Sequence, residues 1–148
     1  MQKQAMKPTD ILVVEDNPGD ARLIREVLNG NKIYCRLYIV KDGVEAMNFL
    51  HKKEDFKSSP RPDLIFLDLN LPKKDGREVL AEIKTDDNLK QIPVVVMTTS
   101  QAEEDIFKSY SLHANCYVTK PLDLDQFVKV VKSIEEFWFS LVKLPGKE

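Results

Sequence analysis

The chain has 148 residues, a length that fits one domain with a single hydrophobic core. Its composition, 43% hydrophobic and 31% charged, is typical of a globular protein, and its formal net charge of -2 gives no reason to expect a nucleic-acid partner. The chain lacks the run of about 18 apolar residues that a membrane-spanning helix needs, and it lacks the apolar segment of a signal peptide. No membrane partner and a cytoplasmic location are therefore expected.

The predicted elements alternate between strands and helices along the chain. Short apolar runs with little polar alternation indicate strands that are buried on both faces. These runs occupy residues 10–14, 34–40, 64–67, 92–97 and 116–119. Apolar residues at helical spacing follow each run, and the predicted helices begin near residues 18, 44, 77, 106 and 124. Such an alternation predicts an α/β fold with a doubly wound parallel sheet.

Four of the predicted strands end in a residue that could take part in chemistry. Glu15 and Asp16 follow the first strand, Asp68 ends the third, Thr98 follows the fourth and Lys120 the fifth. The carboxyl ends of parallel strands share one edge of a sheet, so these side chains are expected to meet there. Each residue alone is compatible with a turn or a helix cap. Their presence together at four strand ends is better explained by a shared functional site than by separate turns and caps.

Three carboxylates packed together repel one another and resist ionising without a compensating charge. An oxygen-rich site with few protein ligands suits Mg²⁺. Beside this cation, Asp68 is equipped to attack a phosphoryl group as a nucleophile. The cation and the Lys120 ammonium would neutralise the transferred oxygens, and Thr98 would donate a hydrogen bond to them. The pattern therefore predicts metal-assisted phosphoryl transfer to Asp68.

Taken together, these residues resemble the receiver domain of two-component response regulators. The resemblance rests on VVEDN (13–17), LDLNLP (67–72), Asp75-Gly76, Thr98 and Lys120-Pro121. It implies a flavodoxin-like (β/α)5 fold with strand order 2-1-3-4-5. It also implies a disordered leader over residues 1–8, a receiver domain with an extended last helix over 9–142, a tail over 143–148, and no effector domain.

The resemblance also implies roles for the site residues. Asp68 would accept the phosphoryl group from the phosphohistidine of a sensor histidine kinase. The resemblance makes Asp16, Asp68 and the backbone carbonyl of Asn70 direct ligands of Mg²⁺, with Glu15 acting through water. Lys120 would pair with the phosphoryl oxygens.

Two further features follow from the same resemblance. The Lys120–Pro121 peptide bond would be cis, an arrangement largely confined to proline. Thr98 and Tyr117 would form a switch pair, in which the hydroxyl is drawn to the phosphoryl group and the ring turns inward.

Three longer segments resemble the small regulators that pair with phytochrome-type histidine kinases. They are RPDLIFLDLNLPKKDGREVLAEIK, IPVVVMTTS and EEFWFSLVKLP. The resemblance implies a phytochrome-like kinase as partner, and a homodimer. The aromatic run Phe137, Trp138 and Phe139 in the last predicted helix is the expected dimer surface, because aromatic clusters mark interfaces. The alternative is a last helix whose apolar face is broadened by burial at the end of the chain.

Other functions fit part of the pattern. A haloacid-dehalogenase-like phosphatase also uses a strand-end Asp, a Thr or Ser, a Lys and Mg²⁺, but it has a second Asp where this chain has Asn70. An amide cannot act as an acid or base at neutral pH, so the acyl phosphate is expected to persist and the protein is not expected to be a turnover enzyme.

A pseudo-receiver would have lost one of the site residues, and a flavin-binding protein would have a phosphate-cradling loop where this chain has Glu15 and Asp16. A phosphorelay intermediate or a phosphate sink stays open as an alternative role.

Overall fold

The computed structural model describes residues 8–30, 34–99 and 116–146, with residues 116, 117 and 137–146 described by their backbone only. Five parallel strands form one sheet. They are β1 (Thr9–Val14), β2 (Cys35–Val40), β3 (Leu64–Asp68), β4 (Val94–Thr98) and β5 (Cys116–Thr119). Their order is β2-β1-β3-β4-β5, so the predicted fold class and strand order are confirmed.

Four helices lie in the described part of the chain. They are α1 (Pro18–Asn29), α2 (Gly43–His51), α3 (Gly76–Thr85) and α4 (Leu124–Gly146). A short 3₁₀ helix (Glu54–Phe56) follows α2, and the helix predicted near residue 106 lies outside the described residues. None of the described helices combines the length and apolarity that crossing a bilayer requires.

The last helix is long, as an extended last helix was expected to be, and it runs from Leu124 to Gly146. The domain boundary at residue 142 stays a prediction. The segment from 141 to 144 contains no residue that breaks a helix before Pro145, so nothing in the local sequence ends α4 earlier.

Each central strand is buried on both faces, which explains its uninterrupted apolar sequence. Alternate residues of β1, β3 and β4 point to opposite sides of the sheet. Leu12, Ile65 and Val96 belong to a cluster with residues of α2 and α3. On the other side, Phe66 packs against Phe127 of α4, with ring centroids 5.8 Å apart, in a cluster that also includes residues of α1.

The register of the sheet brings the strand ends together. Val14 of β1 pairs with Leu67 of β3, so the next residue in each strand direction is Glu15 beside Asp68. Thr98 of β4 pairs with Thr119 of β5, which places Lys120 one residue beyond. Four predicted functional residues therefore lie within one residue of the carboxyl edge of the sheet. They are Glu15, Asp68, Thr98 and Lys120.

The segment after β3 packs so closely that it needs a glycine. A Cβ at Gly76 would lie 2.3 Å from the backbone oxygen of Asp68 and 2.5 Å from the Cα of Leu69. The Gly76 backbone N–H donates to the Leu69 carbonyl at 3.1 Å, and the Asp75 side chain caps the new helix by accepting from the Arg77 N–H at 3.2 Å. The start of α3 therefore rests directly on the backbone of Asp68.

We expect Gly76→Ala to lower the free energy of unfolding by about 2 kcal/mol or more, because the added Cβ meets backbone atoms that can move only by displacing β3 or α3. Urea unfolding monitored by circular dichroism measures the change. Gly19→Ala is the matched control, because its Cβ would approach only a side-chain atom, the Asn17 Oδ1, at 3.2 Å. Equal stability losses in the two variants would contradict the close packing at Gly76.

Candidate functional site

The Lys120 ammonium lies at the centre of the site at the carboxyl edge of the sheet. Its Nζ is 2.8 and 3.0 Å from the two carboxylate oxygens of Glu15, 2.9 Å from Asp20 Oδ2 and 3.1 Å from Asp68 Oδ2. The Lys120 side chain is only 6% exposed. One buried cation thus bridges three carboxylates from the end of β1, the first turn of α1 and the end of β3.

The backbone of the fifth strand positions this lysine. The Lys120 backbone N–H donates to the Thr98 carbonyl at 2.7 Å, which ties the end of β5 to the end of β4. The Lys120–Pro121 peptide bond is cis. Thr98 itself is buried at the end of β4, in the position that the strand pattern gave it.

Glu15 is the most deeply buried of the acids. Its side chain accepts from the Asn17 backbone N–H at 3.1 Å as well as from Lys120. Burial raises the pKa of Glu15 to about 7, the Lys120 ammonium opposes the rise, and the neighbouring Asp68 adds to it. The ammonium therefore offsets only part of the effect of burial on the Glu15 carboxylate.

The contact with Lys120 lowers the pKa of Glu15, and the same contact raises the pKa of Lys120. Burial lowers the pKa of Lys120, but its hydrogen bonds to Glu15 and Asp20 and the charge of Asp68 outweigh burial and raise the pKa above its ordinary value. Lys120 is therefore a permanent cation of the site.

Asp68 is held by both of its carboxylate oxygens. Oδ1 accepts from the Asn70 backbone N–H at 2.9 Å, and Oδ2 faces the Lys120 ammonium. Asp68 is nearly buried, yet it forms part of the wall of an open cavity that Asn70 and Pro121 also line. The carboxylate is thus oriented by rigid neighbours and reachable from solvent.

Three acids could hold a divalent cation. Glu15, Asp16 and Asp68 can each bring one carboxylate oxygen within 4.8 Å of the others. Carboxylate oxygens are the ligands that hard divalent cations prefer, and three carboxylates lie together here. The residues present therefore fit such an ion.

The structure brings together most of the predicted site residues. Glu15, Asp16, Asp68 and Lys120 meet at one edge, and Asn70 lines the cavity beside them. The side chain of Tyr117, the predicted switch residue, lies outside the described part of the structure. The same holds for the side chains of the predicted dimer residues, which are Phe137, Trp138 and Phe139.

Two contacts of the site were not predicted from the sequence. Asp20, which the sequence did not single out, forms an ion pair with Lys120. Thr99 accepts a hydrogen bond from the Asn70 side-chain amide at 2.8 Å. A sequence signal existed for Asp20, since an acid in the first turn of a helix that starts at a strand end lies near that edge of the sheet.

We expect Lys120→Met to lower the free energy of unfolding by about 3 to 5 kcal/mol in the absence of divalent cations, because it leaves buried carboxylates without their cation. Urea unfolding at a pH above the pKa of Glu15 measures the loss. The control is Lys73→Met, since Lys73 is 69% exposed and 3.6 Å from Asp42. Its change should stay below about 1 kcal/mol. Similar losses in both variants would contradict the central role of Lys120.

Comparison with known proteins places this geometry in a family. The family model for the response regulator receiver domain matches residues 11–132. The response regulator Rcp1 of Synechocystis sp. is 53% identical over 146 residues, which cover 99% of each chain.

Two solved structures are similar over most of the chain. The Mn(2+)-bound form of Rcp1 has 56% sequence identity and a TM-score of 0.81, covering 88% of this chain and 94% of that one. The phosphorylated cyanobacterial phytochrome response regulator RcpA has 55% identity and a TM-score of 0.82, covering 91% of this chain and 96% of that one. The chain therefore belongs to the response regulator receiver domain family.

Proposed function

We propose that this protein is a response regulator that accepts a phosphoryl group on Asp68 and signals through the resulting change in its contacts with other proteins. The observation that carries the proposal is the Asp68 carboxylate, held at the mouth of the sheet with Oδ2 3.1 Å from the Lys120 ammonium and with two further acids beside it. A nucleophile, a fixed cation and a cation site meet there, as phosphoryl transfer requires.

The donor in this proposal is a phosphohistidine of a sensor histidine kinase. A carboxylate oxygen of Asp68 forms a bond to phosphorus while the phosphorus–nitrogen bond of the phosphohistidine breaks. The electron pair of that bond stays on the imidazole nitrogen, and the product is an aspartyl phosphate. Lys120 balances the negative charge of the transferred oxygens, the Asn70 backbone N–H orients Asp68, and the Thr98 hydroxyl donates to the phosphoryl group once it is attached.

We assign Mg²⁺ to the acid cluster. Asp16, Asp68 and the backbone carbonyl of Asn70 would hold it directly, and Glu15 would act through a water molecule. When bound, Mg²⁺ neutralises charge on the phosphoryl oxygens. The geometry of Glu15, Asp16 and Asp68 supports the assignment, as does the Mn(2+) in the similar Rcp1 structure.

The aspartyl phosphate should be long-lived, so the protein would not turn over as an enzyme. A phosphatase that works through an aspartyl phosphate needs an acid or base two positions after the nucleophile, and Asn70 supplies neither. The Asn70 amide instead donates to Thr99 Oγ1. A signalling state is therefore better supported than a haloacid-dehalogenase-like phosphatase.

A phytochrome-type kinase is the partner that we favour. The similar RcpA structure is that of a cyanobacterial phytochrome response regulator, and it matches 91% of this chain. A kinase of this kind takes its phosphoryl group from ATP, so we expect the exchange to take place in the cytoplasm.

We expect wild-type protein to become phosphorylated in the presence of Mg²⁺ and a small acyl-phosphate donor, and Asp68→Asn to remain unlabelled because the amide is not a nucleophile. Phosphate-affinity electrophoresis measures both. Asp87→Asn is the control, because Asp87 is 91% exposed and its carboxylate forms an ion pair with Lys90 at 3.1 Å. Label on Asp68→Asn would show that another residue is the acceptor.

The kinase partner is tested with an autophosphorylated phytochrome-type kinase as the donor. Faster labelling than with an unrelated histidine kinase would support a phytochrome-type kinase as the partner.

We also propose a homodimer that forms through the end of α4. The support is the aromatic run from Phe137 to Phe139 within this helix. We expect Phe137→Ala/Phe139→Ala to shift the protein from dimer to monomer in sedimentation velocity, because the interface would lose two large apolar contacts. Tyr34→Ala is the control, since Tyr34 is an exposed aromatic residue that immediately precedes β2. A monomeric wild type would remove this proposal.

A further inference from the structure

The three carboxylates around Lys120 use every hydrogen of its ammonium. An ammonium carries three N–H donors and accepts none. Glu15, Asp20 and Asp68 each have an oxygen 2.8 to 3.1 Å from Nζ, so one donor is directed to each of them. A phosphoryl group attached to Asp68 brings new acceptor oxygens to the same ammonium. The donor that now faces Asp68 Oδ2 can turn to one phosphoryl oxygen. Lys120 can bind a second phosphoryl oxygen only by releasing Glu15 or Asp20.

Glu15 is a poor candidate for release. Its side chain is fully buried, and its carboxylate also accepts from the Asn17 backbone N–H. Water cannot replace the ammonium at Glu15 unless the site opens. A buried carboxylate without its cation strongly destabilises the folded protein.

Asp20 differs from Glu15 in every respect that matters for release. Its side chain is 26% exposed, so water can take the place of the ammonium. It lies in the first turn of α1, where the positive end of the helix dipole stabilises a carboxylate. The helix start does not depend on the Asp20 side chain either, because the cap is the bond from the Asp20 backbone N–H to Asn17 Oδ1 at 2.9 Å.

We propose that Asp20 is the exchangeable partner of Lys120: it holds the ammonium while Asp68 is a free carboxylate and releases it when Asp68 carries a phosphoryl group. Asp20 is thus a positioning residue that acts through Lys120 and lowers the affinity of the site for the phosphoryl group. The inference rests on the proposed phosphorylation of Asp68.

The proposal makes a directional prediction about beryllofluoride, which binds a carboxylate oxygen and presents fluorines in place of phosphoryl oxygens. We expect Asp20→Ala to bind it about three- to tenfold more tightly than wild type at saturating Mg²⁺, because Lys120 has a donor free for the ligand. Asp20→Asn should gain less, since the amide oxygen still accepts from Lys120. Isothermal titration calorimetry measures all three constants.

Glu26→Ala is the matched control. Glu26 is an acid on the same helix, 67% exposed and 3.5 Å from Arg22, so its removal changes the charge of α1 without touching the site. This variant should bind beryllofluoride as wild type does. A gain as large as that of Asp20→Ala would mean that net charge alone is responsible, and it would overturn the proposal.

Thermal unfolding is a second measurement, and it distinguishes the loss of the Asp20–Lys120 contact from a general loss of stability. Without ligand, Asp20→Ala should unfold at a lower temperature than wild type, because Lys120 has lost a partner. With beryllofluoride bound, the difference should shrink, because Asp20 no longer contacts Lys120 in either protein. A general loss of stability would lower both unfolding temperatures equally.

The outcomes separate this inference from the proposed function. If wild type binds beryllofluoride and Asp20→Ala binds it equally or more weakly, only the role of Asp20 is overturned. Weaker binding would indicate that Asp20 anchors Lys120 or helps to hold the cation. If wild type does not bind beryllofluoride at all, the proposed phosphorylation of Asp68 fails and the role of Asp20 fails with it.

Discussion

The structure depends on one buried ammonium that compensates several carboxylates. Lys120 is the residue that lets Glu15 and Asp68 remain buried at the same edge of the sheet. Its contacts join β5 to β1, to α1 and to β3, elements that are far apart in sequence. Compensation is incomplete, because one ammonium faces three carboxylates and Asp16 adds another nearby. A site with this excess of negative charge attracts a cation before it can accommodate a phosphoryl group.

The sheet makes such a site possible because it fixes where each strand ends. β1, β3 and β4 are buried on both faces, so a shift in register would move apolar side chains on two sides at once. Gly76 adds a second constraint by letting α3 begin against the backbone of Asp68. The acceptor carboxylate is therefore held from below by the strand and from the side by the following helix. A nucleophile positioned in this way loses little entropy when it reacts.

The sequence predicted the parts of this arrangement that depend on periodicity, and it missed those that depend on packing. Apolar runs identified the strands, and the residues that follow them identified Glu15, Asp16, Asp68 and Lys120. Asp20 was missed because its local surroundings, a turn before a helix, explain it fully without a distant partner. Its contact with Lys120 joins positions 100 residues apart, and it depends on how α1 packs against the sheet.

Exposure, rather than distance, ranks the ion pairs of Lys120. The three pairs have nearly equal lengths, between 2.8 and 3.1 Å, so geometry alone would make them equivalent. The exposed fractions of the acids are 0% for Glu15, 3% for Asp68 and 26% for Asp20, and only the last can exchange its partner for water. The energy needed to break each pair therefore falls from the inside of the site to its rim. The proposed release of Asp20 follows the same order, because Asp20 is the partner at the rim of the site, in the first turn of α1.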